Sequence, residues 1–200
     1  FDAAGVGRLP SQVVPATLAE MSEAGRALDT GDGTVWQGDN TSAIEGGALA
    51  TRWVHDDATA RAAASFLTGR CRRARVAPFV EGVPCSIHVW CLGLGVAVLR
   101  PVEMVVLREV AAGRFHFCGL STTWDAPPAD RAAMRALASR VGRWMSAVHG
   151  YRGALSIDGV LTRDGFLPTE LNPRFSAGLW KLAPVAPELQ LRLADVLVRE

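Results

Sequence analysis

The chain has 200 residues, 49% of them hydrophobic, with 21 basic and 20 acidic side chains and a formal net charge of +1. A chain of this length can bury a substantial core, and its small net charge gives no overall field that would recruit nucleic acid or an anionic membrane. The longest apolar run, residues 89–99, is interrupted by glycines and is much shorter than the ~20 residues of a membrane-spanning helix. We therefore expect a cytoplasmic protein that binds neither nucleic acid nor membranes, and its partners must be inferred from local sites.

Two smaller features concern the compartment and the start of the chain. The four cysteines show no C-x-x-C spacing and mostly lie in apolar runs, so we expect reduced thiols of a cytosolic protein. The chain begins with Phe1 and not with methionine, so we expect its natural N-terminus to lie further upstream.

The first part of the chain predicts a hairpin flanked by two helices. Apolar residues at helical spacing predict a helix over residues 16–28. Strands are expected over 34–37 and 48–54, with a polar, glycine-bearing loop at 38–47 between them. A second helix, rich in alanine and capped by two aspartates, is expected over 56–68.

The rest of the chain predicts a meander, a long helix and a second hairpin. The strongest helical pattern covers Pro128–His149. Strands are expected over 153–158 and 166–171, joined by turn residues at 162–165, and a last helix is expected from Pro187 to the end. The meander consists of five β-rich stretches before the long helix: 75–80, 85–91, 95–99, 102–107 and 115–119.

These elements predict the fold class. Hairpins outnumber β–α–β units, so the pattern indicates an α+β fold. Gly93-x-Gly95 lacks the third glycine and the following helix of a dinucleotide fingerprint, and we do not interpret it as one.

The most informative residues lie on the second hairpin. Its strands would place Asp158 near Glu170 and Asn172 at one end, and the two-residue spacing of Glu170 and Asn172 points both to the same face. Carboxylate and amide oxygens are the ligands that Mg²⁺ prefers, and Arg174 offers a planar fork to a phosphate just beyond the metal. Spacing alone leaves a second interpretation open, in which the acids face solvent, Asn-Pro makes a turn and the arginine forms a salt bridge.

A family resemblance favours the metal site. The pattern D-G-x-x-x-x-x-G-x-x-x-x-E-x-N-P-R, which begins at Asp158, resembles the metal-binding end of the ATP-grasp superfamily. The resemblance implies that Asp158, Glu170 and Asn172 ligate magnesium ions that bridge the phosphates of ATP, and that Arg174 acts on the phosphates as a catalytic residue. It also implies the ATP-grasp fold, with a small antiparallel lobe over residues 1–80 and a larger antiparallel sheet packed with helices over 81–200.

Residues 75–88 carry a second match. They resemble the linker strand that holds adenine in this superfamily, which assigns the main-chain carbonyl of Pro78 and the amide of Val80 to the nucleotide. Two positions of this strand that commonly hold acids in the superfamily carry alanine and proline here. Glu81 either takes over one task of those acids in nucleotide binding or is a surface acid before a turn glycine.

The hairpin from Trp36 to Trp53 carries a third match. It resembles the small lobe whose glycine-rich loop closes over the phosphates and excludes water. The superfamily usually has a lysine on the strand before this loop, but Lys181 is the only lysine of this chain. We therefore expect Arg52, or another arginine, to contact the phosphates.

Other side chains have two interpretations each. Arg100, Glu103 and Arg108 lie on strands that line the reaction centre in the superfamily, which makes Arg100 a catalytic candidate, or they are ordinary charges on a half-exposed sheet. His88 faces the nucleotide or is a satisfied core or edge histidine. Trp124 covers a substrate or packs against apolar neighbours.

The resemblance also implies an activity. It predicts an ATP- and Mg²⁺-dependent ligase that joins a carboxylate to an amine through an acylphosphate, most similar to actinobacterial enzymes of the peptide or amino-acid ligase type. Members of the superfamily usually carry a further N-terminal domain, so we expect the chain to be a fragment, with a homodimer as one option for its assembly. The missing lysine and hinge acids keep a second hypothesis open: a degenerate, noncatalytic domain that binds a nucleotide or a partner.

Overall fold

The structure, a computed structural model, describes residues 1–39, 48–93, 95–185, 187 and 190–199. From residue 40 onward, the predicted glycine-bearing loop at 38–47 therefore lies outside the described residues. The strands are β1 (Gln12–Pro15), β2 (Thr34–Gly38), β3 (Thr51–Val54), β4 (Arg73–Pro78), β5 (Val83–Cys91), β6 (Val96–Val98), β7 (Val102–Glu109), β8 (Arg114–Ser121), β9 (Gly153–Thr162) and β10 (Gly165–Asn172). The helices are α1 (Leu18–Leu28), α2 (Asp57–Leu67), α3 (Pro128–His149), α4 (Ala177–Leu182) and α5 (Leu191–Leu197), with short 3-10 turns at Asp2–Ala4, Val110–Ala112 and Ala183–Val185.

The chain divides into two units. The small unit contains Leu9–Val80 and Val106–Cys118, and the large unit contains Phe1–Arg8, Glu81–Val105 and Gly119–Glu200. Among the described residues, no helix combines the length and apolar character that a bilayer span requires.

The small unit is a sheet with helices on one face. Its strands pair antiparallel in the order β1, β4, β2, β3, and β3 also meets the start of β8. α1 and α2 bury Met21, Trp36 and Leu67 in a shared cluster, because these side chains project from the helices and from β2 toward the same layer. α2 begins at a capping box in which the Asp56 carboxylate accepts from the Thr59 amide at 2.7 Å.

The large unit is a sheet with helices on both faces. Its strands pair antiparallel in the order β7, β5, β9, β10, and β6 pairs with the end of β5. β5 and β9 pair without interruption from Val83↔Leu161 to Cys91↔Gly153. α3 covers one face of this sheet, whereas α4 and α5 lie against the other, around Trp90 and Val102.

Successive side chains of β5 point to opposite faces of the sheet, and both faces are covered by helices. Cys85, Ile87 and Val89 enter the cluster under α3, together with Met134 and other buried residues of that helix. Trp90 belongs to the cluster under α4 and α5. A strand that is buried on both faces reads as a nearly continuous apolar run, as residues 85–91 do.

The α+β fold class predicted from the sequence is confirmed. α3 has the bounds that its apolar spacing predicts, and α1 and α2 begin within two residues of theirs. β9 is longer than expected, since it continues to Thr162 and pairs there with the start of β10. β1 and α4 were not predicted, because a four-residue strand ending in proline and a six-residue helix are too short to show a period.

The packing of α3 gives a prediction. Met134 is fully buried on the sheet-facing side of α3, so Met134→Ala should lower the free energy of unfolding by about 2 to 4 kcal/mol through lost burial and a residual cavity. Val148, on the same helix, is 59% exposed, so Val148→Ala should change it by less than about 0.5 kcal/mol. Urea unfolding of both variants measures the difference; equal effects would show that α3 is not anchored by its apolar face.

Candidate metal and nucleotide site

The hairpin of β9 and β10 brings the predicted acids together. Glu170 pairs directly with Asp158, and Asn172 pairs with Ser156 on the next position of the same face. Directly paired residues of antiparallel strands have Cβ atoms about 5 Å apart. The two carboxylates and the amide therefore form one cluster in the large unit.

A β-bulge sets the direction of these side chains. Pro168 pairs with Gly159 and Glu170 with Asp158, so Thr169 is an extra residue on β10 without its own partner on β9. The Thr169 hydroxyl donates to the main-chain oxygen of Asp158 at 3.2 Å. Before the bulge Phe166 packs into the cluster under α3, and after it Glu170 points to the opposite face, where Asp158 lies.

Asp158 is the centre of the cluster. The Ser86 hydroxyl donates to Asp158 Oδ1 at 2.6 Å, and Asn172 Nδ2 donates to Asp158 Oδ2 at 3.0 Å. Arg174 reaches Asn172 Oδ1 at 3.5 Å. Both oxygens of Asp158 are thus held in position by neighbours on β5 and β10.

Electrostatics favour a cation at this position. The pKa of Asp158 is raised to about 6: burial, the largest cause, and the Glu170 charge raise it, whereas Ser86, Arg174 and Asn172 act in the opposite direction. A partly buried carboxylate beside a second carboxylate lacks the solvent that would stabilise its charge. A bound cation would supply that stabilisation.

The donor set fits magnesium. Two carboxylates and one amide offer hard oxygen ligands, and Mg²⁺ usually takes one or two carboxylates while water and phosphates fill its other positions. Among the residues that the structure describes, no three His, Cys, Asp or Glu side chains converge as a metal site. Two carboxylates and one amide would leave the other positions of such an ion to water and a ligand.

Ser86 is the residue that sequence analysis missed as a partner of this cluster. It alternates with His88 and Trp90 on β5, a pattern visible in the sequence. Its contact with Asp158 depends on the pairing of β5 with β9, which joins residues 72 positions apart. Local patterns carry no signal for such a pairing.

The other nucleotide candidates lie in different places. Pro78 and Val80 belong to the small unit, where Pro78 pairs with Thr34, whereas Glu81 is an exposed residue of the large unit. Arg52, also in the small unit, places its guanidinium 3.7 Å from the centre of the Phe66 ring and donates to the main-chain oxygens of residues 49 and 51. Their contacts with a nucleotide stay predictions.

The candidate reaction-centre residues are also separated. Arg100 donates to the main-chain oxygen of Trp124 at 3.0 Å and lies 3.9 Å from the Asp125 carboxylate, so it holds the loop before α3. Arg108, in the small unit, lies 5.5 Å from the centre of the Trp53 ring. Trp124 packs against the cluster under α3, as its apolar interpretation predicts.

His88 is buried, as its core interpretation predicts, but it is not satisfied. Neither ring nitrogen has a hydrogen-bond partner among the described residues. Burial lowers the pKa of His88 to about 4, so its ring is neutral near neutral pH.

The arrangement of strands and helices matches that of ATP-grasp ligases, and the predicted ATP-grasp fold is confirmed. The chain resembles N5-carboxyaminoimidazole ribonucleotide synthetase in its ADP complex, with a TM-score of 0.66, 16% identity, and coverage of 88% of this chain and 42% of that chain. It also resembles phosphoribosylamine–glycine ligase from Thermotoga maritima (TM-score 0.65, 17% identity, 88% and 45% coverage). A third structure is D-alanyl-alanine synthetase A from Vibrio cholerae (TM-score 0.61, 16% identity, 86% and 51% coverage).

These comparisons establish the fold and no more. No protein-family profile matches the chain, and no curated protein matches it in sequence. The chain spans about half of the length of the three solved proteins, 42% to 51%.

The raised pKa of Asp158 gives a prediction for stability. Because the pKa in the folded chain, about 6, lies above the ordinary value of 3.8, protonated Asp158 stabilises the fold below pH 4, and this contribution is lost as pH rises through about 6. Asp158→Asn removes the titration. The unfolding free energy of the variant, relative to the wild type, should therefore rise between pH 4 and pH 8, by on the order of 2 to 3 kcal/mol.

Urea unfolding across this pH range measures the effect. Asp164→Asn is the matched control, since Asp164 is 85% exposed in the turn of the same hairpin. The difference in unfolding free energy between Asp164→Asn and the wild type should stay nearly constant with pH. If the unfolding free energies of Asp158→Asn and the wild type change in parallel with pH, the raised pKa of Asp158 is contradicted.

Proposed function

We propose that the full-length protein is an ATP- and Mg²⁺-dependent ligase that joins a carboxylate to an amine through an acylphosphate. The observation that carries this proposal is the direct pairing of Asp158 with Glu170 beside Asn172, on one face of a hairpin in an ATP-grasp fold. The solved proteins with this fold support it, since one is an ADP complex of a synthetase and two others are a ligase and a synthetase.

The proposed reaction has two substitutions. An oxygen of the carboxylate substrate attacks the terminal phosphorus of ATP, and the bond to ADP breaks. The amine nitrogen then attacks the carbonyl carbon of the acylphosphate, phosphate leaves, and the nitrogen loses a proton. Magnesium, when bound, neutralises the phosphate charge during the first substitution.

The protein's own residues bind and orient. Asp158 and Glu170 would hold the ion with Asn172, and the hydrogen bonds from Ser86 and Asn172 fix the Asp158 carboxylate. Arg174 is exposed beside Asn172, so its guanidinium can donate two hydrogen bonds to a phosphate. Such preorganised donors lower the cost of placing charge in the transition state.

Binding of ADP tests the metal site. By calorimetry, ADP should bind to the chain with Mg²⁺ and at least about tenfold more weakly without it or in the Glu170→Gln variant, since a shared ion links phosphate to protein. Asp164→Asn, in the turn of the same hairpin, should bind as the wild type does. ADP binding that is equal with and without Mg²⁺, and equal in Glu170→Gln, would refute the metal site.

Failure of this chain to bind ADP is interpreted by repeating the measurement on the full-length protein. If neither this chain nor the full-length protein binds ADP under either condition, the degenerate, noncatalytic hypothesis replaces the ligase. If only the full-length protein binds, residues outside this chain complete the nucleotide site.

The role of Arg174 gives a second test. A charged hydrogen bond to the terminal phosphate should make Arg174→Ala bind a nonhydrolysable ATP analogue about tenfold more weakly, with ADP affinity changed less than about threefold. Arg163→Ala is the control, because Arg163 is 93% exposed in the hairpin turn. Equal losses for ADP and the ATP analogue would remove Arg174 from the terminal phosphate.

A further inference from the structure

One face of β5 carries polar side chains in a row. Ser86, His88 and Trp90 alternate with the residues that pack under α3, and so they lie on the opposite face. Ser86 donates to Asp158, which ties the start of this row to the candidate metal site. His88 follows two residues later, about 7 Å along the strand.

Within the described part of the chain, two side chains of this row and one on the segment beside it are buried without hydrogen-bond partners. His88 is 0% exposed, Trp90 is 5% exposed and Ser176, just before α4, is 8% exposed. Among the described residues, both ring nitrogens of His88, Trp90 Nε1 and Ser176 Oγ have no partner. Each such buried group costs stability, and native proteins contain few, so three on β5 and on the segment that packs against it call for a functional explanation.

The segment Phe175–Leu182, which carries Ser176, covers His88 and Trp90. Gly178 lies directly on the His88 ring, where an added Cβ would overlap Nε2. Leu179 and Leu182 continue the cover, and the Phe175 and Trp90 rings meet edge to face with their centres 6.3 Å apart. A ligand can reach His88 from this side only when the segment moves away from β5.

The chemistry of these three side chains selects a class of ligand. A neutral imidazole has one donor and one acceptor nitrogen, the indole of Trp90 donates, and the Ser176 hydroxyl does both. The surroundings are apolar, with Val102 and Leu179 in contact, so an uncompensated charge would be costly there. An uncharged group that both donates and accepts, such as a carboxamide or a hydroxyl, matches these partners.

We propose that a subsite lies between β5, which carries His88 and Trp90, and the segment Phe175–Leu182, which carries Ser176, and that it binds an uncharged carboxamide or hydroxyl group of the substrate. This rests on the proposed function in treating the ligand as a substrate, because the row of side chains leads to the candidate metal site. The substrate then carries an uncharged polar group a few ångströms from its reacting end.

The test uses acetamide as the probe and acetate as its charged match of equal size. The indole N–H signal of Trp90, assigned in NMR spectra with Trp90→Phe, should shift and saturate with acetamide. Acetate should bind at least about tenfold more weakly, if at all. No saturable shift with acetamide, or an equal response to acetate, overturns the proposal.

Variants test which groups bind the probe. Ser176→Ala and His88→Leu should each weaken the acetamide response about tenfold or abolish it, since each removes a hydrogen bond. His88→Leu should also unfold at a higher urea concentration than the wild type, because it removes two unpaired nitrogens at similar volume. A response that persists in both variants overturns the subsite.

The cover is tested separately with Gly178→Ala, which should displace the segment from His88 and change the acetamide affinity at least threefold. Gly7→Ala is the matched control, since nothing lies within 4 Å of a Cβ added there. Equal acetamide affinity in Gly178→Ala and Gly7→Ala would show that the segment does not cover the subsite. Calorimetry with Mg²⁺ and ADP on the same samples separates failure of the proposed function from failure of the subsite.

Discussion

The bulge at Thr169 is the constraint on which the candidate site depends. Side chains alternate along a strand, so a regular β10 would send Glu170 and Asn172 to the face where Phe166 packs under α3. The extra residue reverses this alternation and turns both side chains to the face of Asp158. The same reversal keeps Leu171, which pairs with Ile157, on the face that packs under α3. One bulge therefore positions side chains of both the core and the candidate site.

The two faces of the large unit's sheet differ in whether their buried side chains are apolar or polar. The face under α3 is apolar and closely packed around Met134, Ile87 and Leu155. The opposite face holds a carboxylate with a raised pKa and, further along, a histidine whose two ring nitrogens have no hydrogen-bond partner within the part of the chain that the structure describes. Natural proteins keep energetically unfavourable buried polar groups mainly where function requires them. Here these groups lie on neighbouring positions of β5 and β9, on one face of the sheet.

Sequence patterns predicted the parts of this arrangement that depend on local periodicity. The apolar spacing of α3 fixed its bounds, and the two-residue spacing of Glu170 and Asn172 gave their common face. The contact of Ser86 with Asp158 and the cover of Gly178 on His88 could not be predicted, because each depends on pairing or packing between distant segments. The bulge was not predicted either, although it lies within one hairpin. Residue types at positions 162–165 predicted a turn but held no information on the alternation of the strand that follows it.

The burial of Asp158 bears on the choice between a metal site and a surface hairpin. A hairpin with solvent-facing acids requires both carboxylates to be hydrated, and this condition holds for Glu170, which is exposed. It does not hold for Asp158, whose two oxygens are occupied by Ser86 and Asn172 and whose ionised form is disfavoured by burial and by Glu170. Ser86, Arg174 and Asn172 do not offset the effects of burial and Glu170, so the pKa of Asp158 stays raised, and a further positive charge beside it would stabilise the carboxylate. A cation between Asp158 and Glu170 would supply that charge, and this favours the metal site on physical grounds.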